Sequence, residues 1–422
     1  MSRLVMSLAA GLFLVPPLGL VFQLVGLPFR PLSYLPVALL LAWGLGRLAG
    51  YRRYARACVT DITPLGYRAQ ILLSVCCLAV LMLLLLGLGD LSAPPTAHDA
   101  TNHAFLVYRI SQVGSIDIEA IWQGVVGRPN RLYYAGWHGA AALVATTGGV
   151  APYVSGWYLP LVLMSLLPAA LSLLWRAVRV PKPILLLGAL FVITSNYVPA
   201  SLIGWGGYGQ LIGLFLVPAG VLGLLGALHT RRWFAGMTLG LILFAVLQVH
   251  ASEIVVVPLL GALAWWLRGG GRPQLATVLV TLGVFVLLAG PVAWKLAASY
   301  LQHNQVVYHP ETVSLALACT QFMDVGGRGS WVRELVVLGL IVGLWVRPLR
   351  PLVFLSLAWG ILFVTLSVLR DPISNILATP FYRHAPRILY LQLYVIPPLM
   401  AAPFVVVFRL LSRRGWRKLA WE

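Results

Sequence analysis

The sequence predicts an all-α integral membrane protein, a polytopic helical bundle with about 12 transmembrane helices and a large first outer loop containing juxtamembrane helices. Three observations lead there. Apolar residues make up 60% of the 422 positions and charged residues only 10%, where soluble domains carry about 25% charge. Apolar runs near the ~20 residues needed to cross a bilayer recur along the chain. Lys and Arg fall repeatedly at alternate ends of those runs, as the positive-inside rule requires.

Taken in order, the spans are expected at 4–27, 31–49, 69–89, 152–175, 184–203, 211–229, 233–249, 254–267, 275–298, 331–346, 351–369 and 388–408. Met1 to Leu20 has the look of a signal peptide, but no small-residue cleavage site precedes the next apolar segment, so it reads as a retained first span. The apolar stretch from Gly136 to Val150 is excluded as a span. Its fifteen residues reach only about 22 Å, short of a ~30 Å hydrocarbon core; it is expected to be a helix lying on the membrane surface. The Pro16-Pro17 and Pro397-Pro398 pairs should kink their spans. The chain thus divides into N-terminal spans over 1–89, an outer loop over 90–151, a bundle over 152–408 with outer loops near 299–330 and 370–387, and a basic tail over 409–422. No internal repeat is visible.

This layout puts twenty of the thirty Lys and Arg on the inner side, with only Asp61 and Glu422 opposing them. The net charge of +19 is therefore an orientation signal and a contact with anionic inner-leaflet lipid. It is not a nucleic-acid footprint. Both termini are expected in the cytoplasm. The same layout sends nine of eleven acids and seven of eight histidines outward. Orientation uses Lys and Arg alone, so that second asymmetry points to an active site on the outer face. The cysteines (Cys58, Cys76, Cys77 and Cys319) have no disulfide or zinc spacing.

The longest polar interval, Asp90 to His138, carries four acids and three histidines. Asp99 and His103 stand four apart, on one face if the run is helical. Asp99 then suits a general base, its proton affinity raised beside an apolar surface; the bland alternative is a helix N-cap. Arg109 would share the polar face while Phe105, Leu106 and Ile110 lie on the bilayer. Asp90, where the third span exits, is either a second carboxylate of the site or an interface residue. Tyr133, Tyr134 and Trp137 fit an interfacial aromatic belt, whereas His138 just behind them fits a ligand or metal. His250 and Glu253 supply two metal ligands at i, i+3 or a plain hydrogen-bonded pair. Lys295, Arg383, His384 and Arg387 sit at the outer boundary against the orientation rule. Arginine there suits bidentate phosphate binding, and Arg383 with Arg387 at i, i+4 makes the stronger case; snorkelling is the alternative. The Gly-rich 205–210 stretch follows no strand, so it reads as a tight turn rather than a phosphate loop.

Three of these stretches resemble the GT-C superfamily of membrane glycosyltransferases, most closely its actinobacterial-type polytopic members of uncharacterised activity. They are Asp99…His103…Arg109-Ile110, Tyr134-Ala135-Gly136-Trp137-His138, and Pro380-Phe381-Tyr382…Arg387-Ile388. The resemblance implies a polyprenyl-phosphate sugar donor, an extracytoplasmic lipid-linked or cell-envelope glycan acceptor, Asp99 as base with His103 beside it, and Arg387 on the donor phosphate. Ala135 departs from an expected proline and His384 from an expected acid or amide, which weakens a metal site in the last loop. A divalent metal ion is thus a possible but not required cofactor. The rival readings are a transporter or flippase of a lipid-linked sugar and a non-catalytic subunit of a cell-envelope assembly complex.

Overall fold

A computed structural model of the chain describes its residues outside 61, 63, 89–97, 126–134, 193–205, 231, 272, 303–312, 325–329, 370–385 and 413–422. Among the described residues every regular element is helical. The chain opens with α1 (Ser2–Leu24), α2 (Pro31–Arg47), α3 (Ala49–Thr60) and α4 (Tyr67–Leu88). The long interval after α4 holds α5 (His98–Val113), α6 (Ile118–Trp122) and α7 (Gly136–Gly148). Then come α8 (Pro152–Ser165), α9 (Leu167–Ala177), α10 (Lys182–Phe191), α11 (Tyr208–Thr230), α12 (Trp233–Leu247), α13 (Glu253–Leu267) and α14 (Leu275–Gln302). The last part contains α15 (Leu315–Met323), α16 (Ser330–Trp345), α17 (Arg350–Val368), α18 (Pro386–Leu389) and α19 (Ile396–Leu411), with a 3-10 turn at Tyr390–Tyr394 joining the last two.

Four helices are long and apolar enough to cross a membrane, and three bent pairs raise the number to seven. The pair α8–α9 bends by 47° and the pair at Arg387–Tyr394 and Ile396–Leu411 by 42°. The second bend falls at Val395, just before Pro397-Pro398, where a kink is expected. Pro16 and Pro17, by contrast, lie inside an unbroken α1. Helix α3 turns 89° from α2. It buries Tyr54 and Cys58 against α11 and exposes Arg52, Arg53 and Arg56.

Helix α11 is the axis of the bundle: nineteen of its twenty-three residues are buried. It carries no Asp, Glu, Lys or Arg, and its glycines admit the neighbours. A Cβ on Gly213 would lie 2.9 Å from the Glu253 side chain, one on Gly220 3.1 Å from Val257, and one on Gly226 on top of Cys58. Small residues at such crossings let helix backbones approach where lipid gives no hydrophobic drive for association. At the far end of the chain, α19 packs on α10 and α16. Trp175 Nε1 donates to the Tyr394 carbonyl at 2.8 Å, and Ser356 Oγ to Gln392 Oε1 at 3.0 Å, so the 3-10 turn is tied from two sides.

One expectation for the α5–α7 stretch is corrected and one is refined. Helix α7 is covered by protein over much of its length: nine of its thirteen residues are buried, against α1, α5 and α8. Its small residues (Gly136, Gly139, Ala140 to Ala142) are what let it pack on three neighbours, which length and hydropathy do not reveal. Leu106 and Ile110 likewise face protein and not lipid, being 1% and 0% exposed; α5 packs on α7 and α8 along that face.

Candidate functional site

The polar centre of the molecule is built from five segments. Helix α5 contributes Asp99 and His103 from its first two turns. The close approach that holds them is at Gly206, whose φ is +88°. A Cβ there would sit 2.3 Å from the Ala100 nitrogen, so the 206–207 turn rests directly on the α5 backbone. Only glycine combines that conformation with that space. His103 also hydrogen-bonds to the Gly206 backbone.

Helix α7 brings Trp137 and His138. Its start is pinned where Gly136 N donates to the Gln248 carbonyl at 3.2 Å. A Cβ on Gly136 would meet that carbonyl at 2.7 Å and Pro16 at 3.0 Å. His138 Nε2 stands 2.8 Å from His103 Nδ1. The Trp137 ring stacks on His138 with centroids 3.9 Å apart and presents its edge to His103 at 5.0 Å. Tyr208, at the start of α11, lies 5.5 Å from His103 by ring centroid. Trp137 is 1% exposed, so it is not part of an interfacial belt; it is a wall of this site.

The other half begins at the α12–α13 connection. His250 Nδ1 lies 2.7 Å from Glu253 Oε2 and 2.6 Å from Ser252 Oγ, and the Ser252 hydroxyl donates to the same carboxylate oxygen. His250 Nε2 faces Arg387 Nη1 at 2.9 Å. A guanidinium only donates, so Nε2 accepts and Nδ1 carries the proton toward Glu253. Glu253 and Ser252 are fully buried and His250 nearly so. Gln210 Nε2 donates to the Arg387 carbonyl at 3.3 Å. The first turn of α11 joins the halves: the space beside Gly209 is bounded by Trp137 Nε1 at 3.5 Å and His250 Cδ2 at 3.7 Å.

The two halves share one field. Burial pushes the His103 pKa down to about 4. Asp99 and the Gly206 hydrogen bond oppose that shift, while His250 and Arg387 add to it. His103 is therefore neutral at pH 7, and its neighbourhood includes one carboxylate and one guanidinium.

Of the residues singled out in the sequence, Asp99, His103, Trp137, His138, His250, Glu253 and Arg387 meet here. Arg109 does not. Ten residues beyond Asp99, it falls on a different helix face. It donates from Nε to the Ile121 carbonyl at 2.9 Å and from Nη2 to the Gln123 carbonyl at 2.8 Å, holding α6 against α5. Asp90, Tyr134, Arg383 and His384 lie outside the described residues, as does the side chain of Lys295. The HxxE residues are hydrogen-bonded to each other through His250 Nδ1 and Glu253 Oε2. Among the described residues no three His, Cys, Asp or Glu side chains gather as a metal site. The four cysteines are free. Sequence reading missed Tyr208, Gln210, Ser252 and Tyr394. Tyr208 Oη, Gln210 Oε1, Glu253 Oε1 and Tyr394 Oη are buried without a hydrogen-bond partner among the described residues, although buried polar atoms ordinarily have one. A lone Gln in the first turn of an apolar helix was the available signal.

The chain belongs to DUF6541, a family of unknown function whose model matches residues 1–422. No curated protein matches it.

Proposed function

We propose that this member of a family without an assigned activity is a GT-C-type glycosyltransferase. It moves a sugar from a polyprenyl-phosphate donor to a cell-envelope acceptor at the outer face of the cytoplasmic membrane. The one observation that carries the reading is that the His103–Trp137 wall beside Asp99 and the His250 side chain that holds Arg387 meet at Gly209. An acid from the first outer loop and a cation preceding the last span thus serve one site, which is what transfer from a lipid phosphate needs. The twelve-span layout with both termini cytoplasmic belongs to the same reading.

In this scheme Asp99 takes the proton of the acceptor hydroxyl. The hydroxyl oxygen bonds to the anomeric carbon as the bond from that carbon to the phosphate oxygen breaks. The electron pair leaves on the lipid phosphate, where Arg387 meets the developing charge. A neutral His103 adds no second positive charge at the site. His250 positions Arg387 directly, and Glu253 does so through His250. A divalent ion is not needed for this scheme, since a guanidinium can balance a monophosphate leaving group.

The test is Asp99→Asn in membranes supplied with a panel of labelled polyprenyl-phosphate sugars. Transfer should fall by about 10²–10⁴-fold, the usual contribution of a general base, with expression and insertion unchanged. Undiminished turnover in that variant rejects the scheme. A carrier of lipid-linked sugar is the second reading. The observation favouring it is the buried His250–Glu253 pair beside the break at Tyr390–Tyr394, because ionisable groups at broken helices mark transport sites. Labelled lipid crossing reconstituted vesicles without sugar transfer would select it.

A further inference from the structure

A groove of about 1030 Å³ opens at the opposite end of α13 from Glu253, between the C-terminal end of α9, the second half of α13 and the start of α17. Its walls are apolar, with Leu259, Leu263, Trp266 and Phe354 prominent; its rim carries Arg179, Arg268, Arg347 and Arg350, and among the described residues no acid lines it. Fifteen residues of α13 at ~1.5 Å each put it about 20 Å from the polar site.

The four arginines divide into two kinds. Arg268 donates to the Ala177 and Arg176 carbonyls at the end of α9, and Arg350 to the Leu344 carbonyl at 2.7 Å. Those two belong partly to the fold. Arg179 and Arg347 are exposed, as is Arg350. Arg179 is also the sole non-glycine residue with positive φ among those described, at 62°. It occupies the position after α9 where the Val180 nitrogen closes back onto the Trp175 carbonyl at 2.8 Å. Glycine ordinarily takes that place, and a residue with a Cβ is disfavoured there. A strained residue that presents a cation to an apolar groove is an indication of function.

We propose that this groove binds an anionic phospholipid, with an acyl chain along Leu259, Leu263, Trp266 and Phe354 and the phosphate at the Arg179–Arg347 rim. A free anion has no use for the apolar walls, and a neutral lipid none for the guanidinium groups. Trp266 and Phe354 are 70% and 62% exposed, as aromatic side chains at a membrane boundary are. The chain's own tail from residue 409 carries five bases and one acid, and the rim repels it. The basic end is the one that the charge distribution assigns to the inner leaflet, whose lipids are anionic. The assignment is independent of sugar transfer.

Native mass spectrometry of the purified full chain tests it, with phosphatidylglycerol and phosphatidylcholine of identical acyl chains as probes. Phosphatidylglycerol should be retained at several-fold higher occupancy. Arg179→Gly removes the cation while restoring the residue that the backbone favours, so a loss cannot be laid to misfolding. That variant and Arg347→Gln should each lower phosphatidylglycerol occupancy about fivefold and leave phosphatidylcholine unchanged. Ala358→Trp, which fills the groove, should release the phosphatidylglycerol, and millimolar inorganic phosphate should not. Equal occupancy by the two lipids overturns the proposal. So does a preference that survives both arginine substitutions, retention in the filled groove, or displacement by inorganic phosphate.

Discussion

His103 Nδ1 and His138 Nε2 stand 2.8 Å apart in the interior of the protein, on the two helices α5 and α7. The Gly206 backbone fixes what this pair can do. It raises the proton affinity of His103, which is the effect of a carbonyl accepting from the ring. A neutral His103 therefore spends its one N–H on Gly206 and accepts at Nδ1 from His138. The two imidazoles form a directed chain rather than a pair of like charges.

Replacing His138 by Phe keeps the ring volume and removes the donor. His103 Nδ1 is then left buried without its partner, and the fold should lose about 1–3 kcal/mol. His138→Gln, which can still donate, should lose less. Thermal midpoints of the purified variants in one detergent measure the order; a Phe variant as stable as the Gln variant contradicts the assigned donor.

Acid should weaken the structure through His103. Its pKa is about 4 when folded against an ordinary 6.5, so the unfolded chain binds the proton first. The contribution is fully present above pH 6.5, declines as pH falls toward 4 and changes no further below that. The loss across the window is on the order of 3 kcal/mol. Denaturant titrations from pH 7 to pH 4 should show it, and His103→Gln should flatten the slope in that interval.

Gly206→Ala should be far more damaging than Gly149→Ala. Both glycines have positive φ, at 88° and 62°, which disfavours alanine by about 1–2 kcal/mol. Nothing stands within 4 Å of a Cβ at Gly149, whereas one at Gly206 runs into Ala100 N at 2.3 Å. Gly206→Ala must also push α5 away from the site. Comparing the yield and thermal midpoint of the two variants separates backbone strain from the steric term.

Arg387→Ala should raise the donor KM by about tenfold to a hundredfold, the range of a charge-assisted hydrogen bond, and change the acceptor KM much less. Equal loss for both substrates removes Arg387 from the phosphate. His250→Ala should act in the same direction more weakly, because it frees the guanidinium to move without removing its charge.

The helices themselves were legible. Hydropathy and length located α1, α4, α11 and α17, since a segment passing through lipid must be apolar and long whatever it later touches. The 3.6-residue period placed Asp99 and His103 on one face and could have excluded Arg109 from it. What hydropathy left out was the packing of α7, read as lying on the membrane surface because it is too short to span. Its Gly and Ala positions let it sink among α1, α5 and α8, and an apolar helix looks the same in sequence whether lipid or protein covers it. The aromatic Trp137 was misread for the same reason.

The chemistry was visible as a set of residue types, of which Asp99, His103, Trp137, His138, His250, Glu253 and Arg387 come together in the fold. Its assembly was not visible. Asp99, His138, Tyr208, His250 and Arg387 lie across 289 positions of the chain, and no local pattern states that they meet. The chain's order of residues determined that it is an apolar helical protein, which ends of its helices are basic, and where proton-exchanging groups gather. Those properties follow from each segment's own solvent preference. Tertiary packing alone decided that Gly136, Gly206 and Gly209 would let α5, α7, α11 and the 248–253 connection close to contact distance. That outcome depends on the shapes of surfaces distant in sequence, which only meet once the helices have packed.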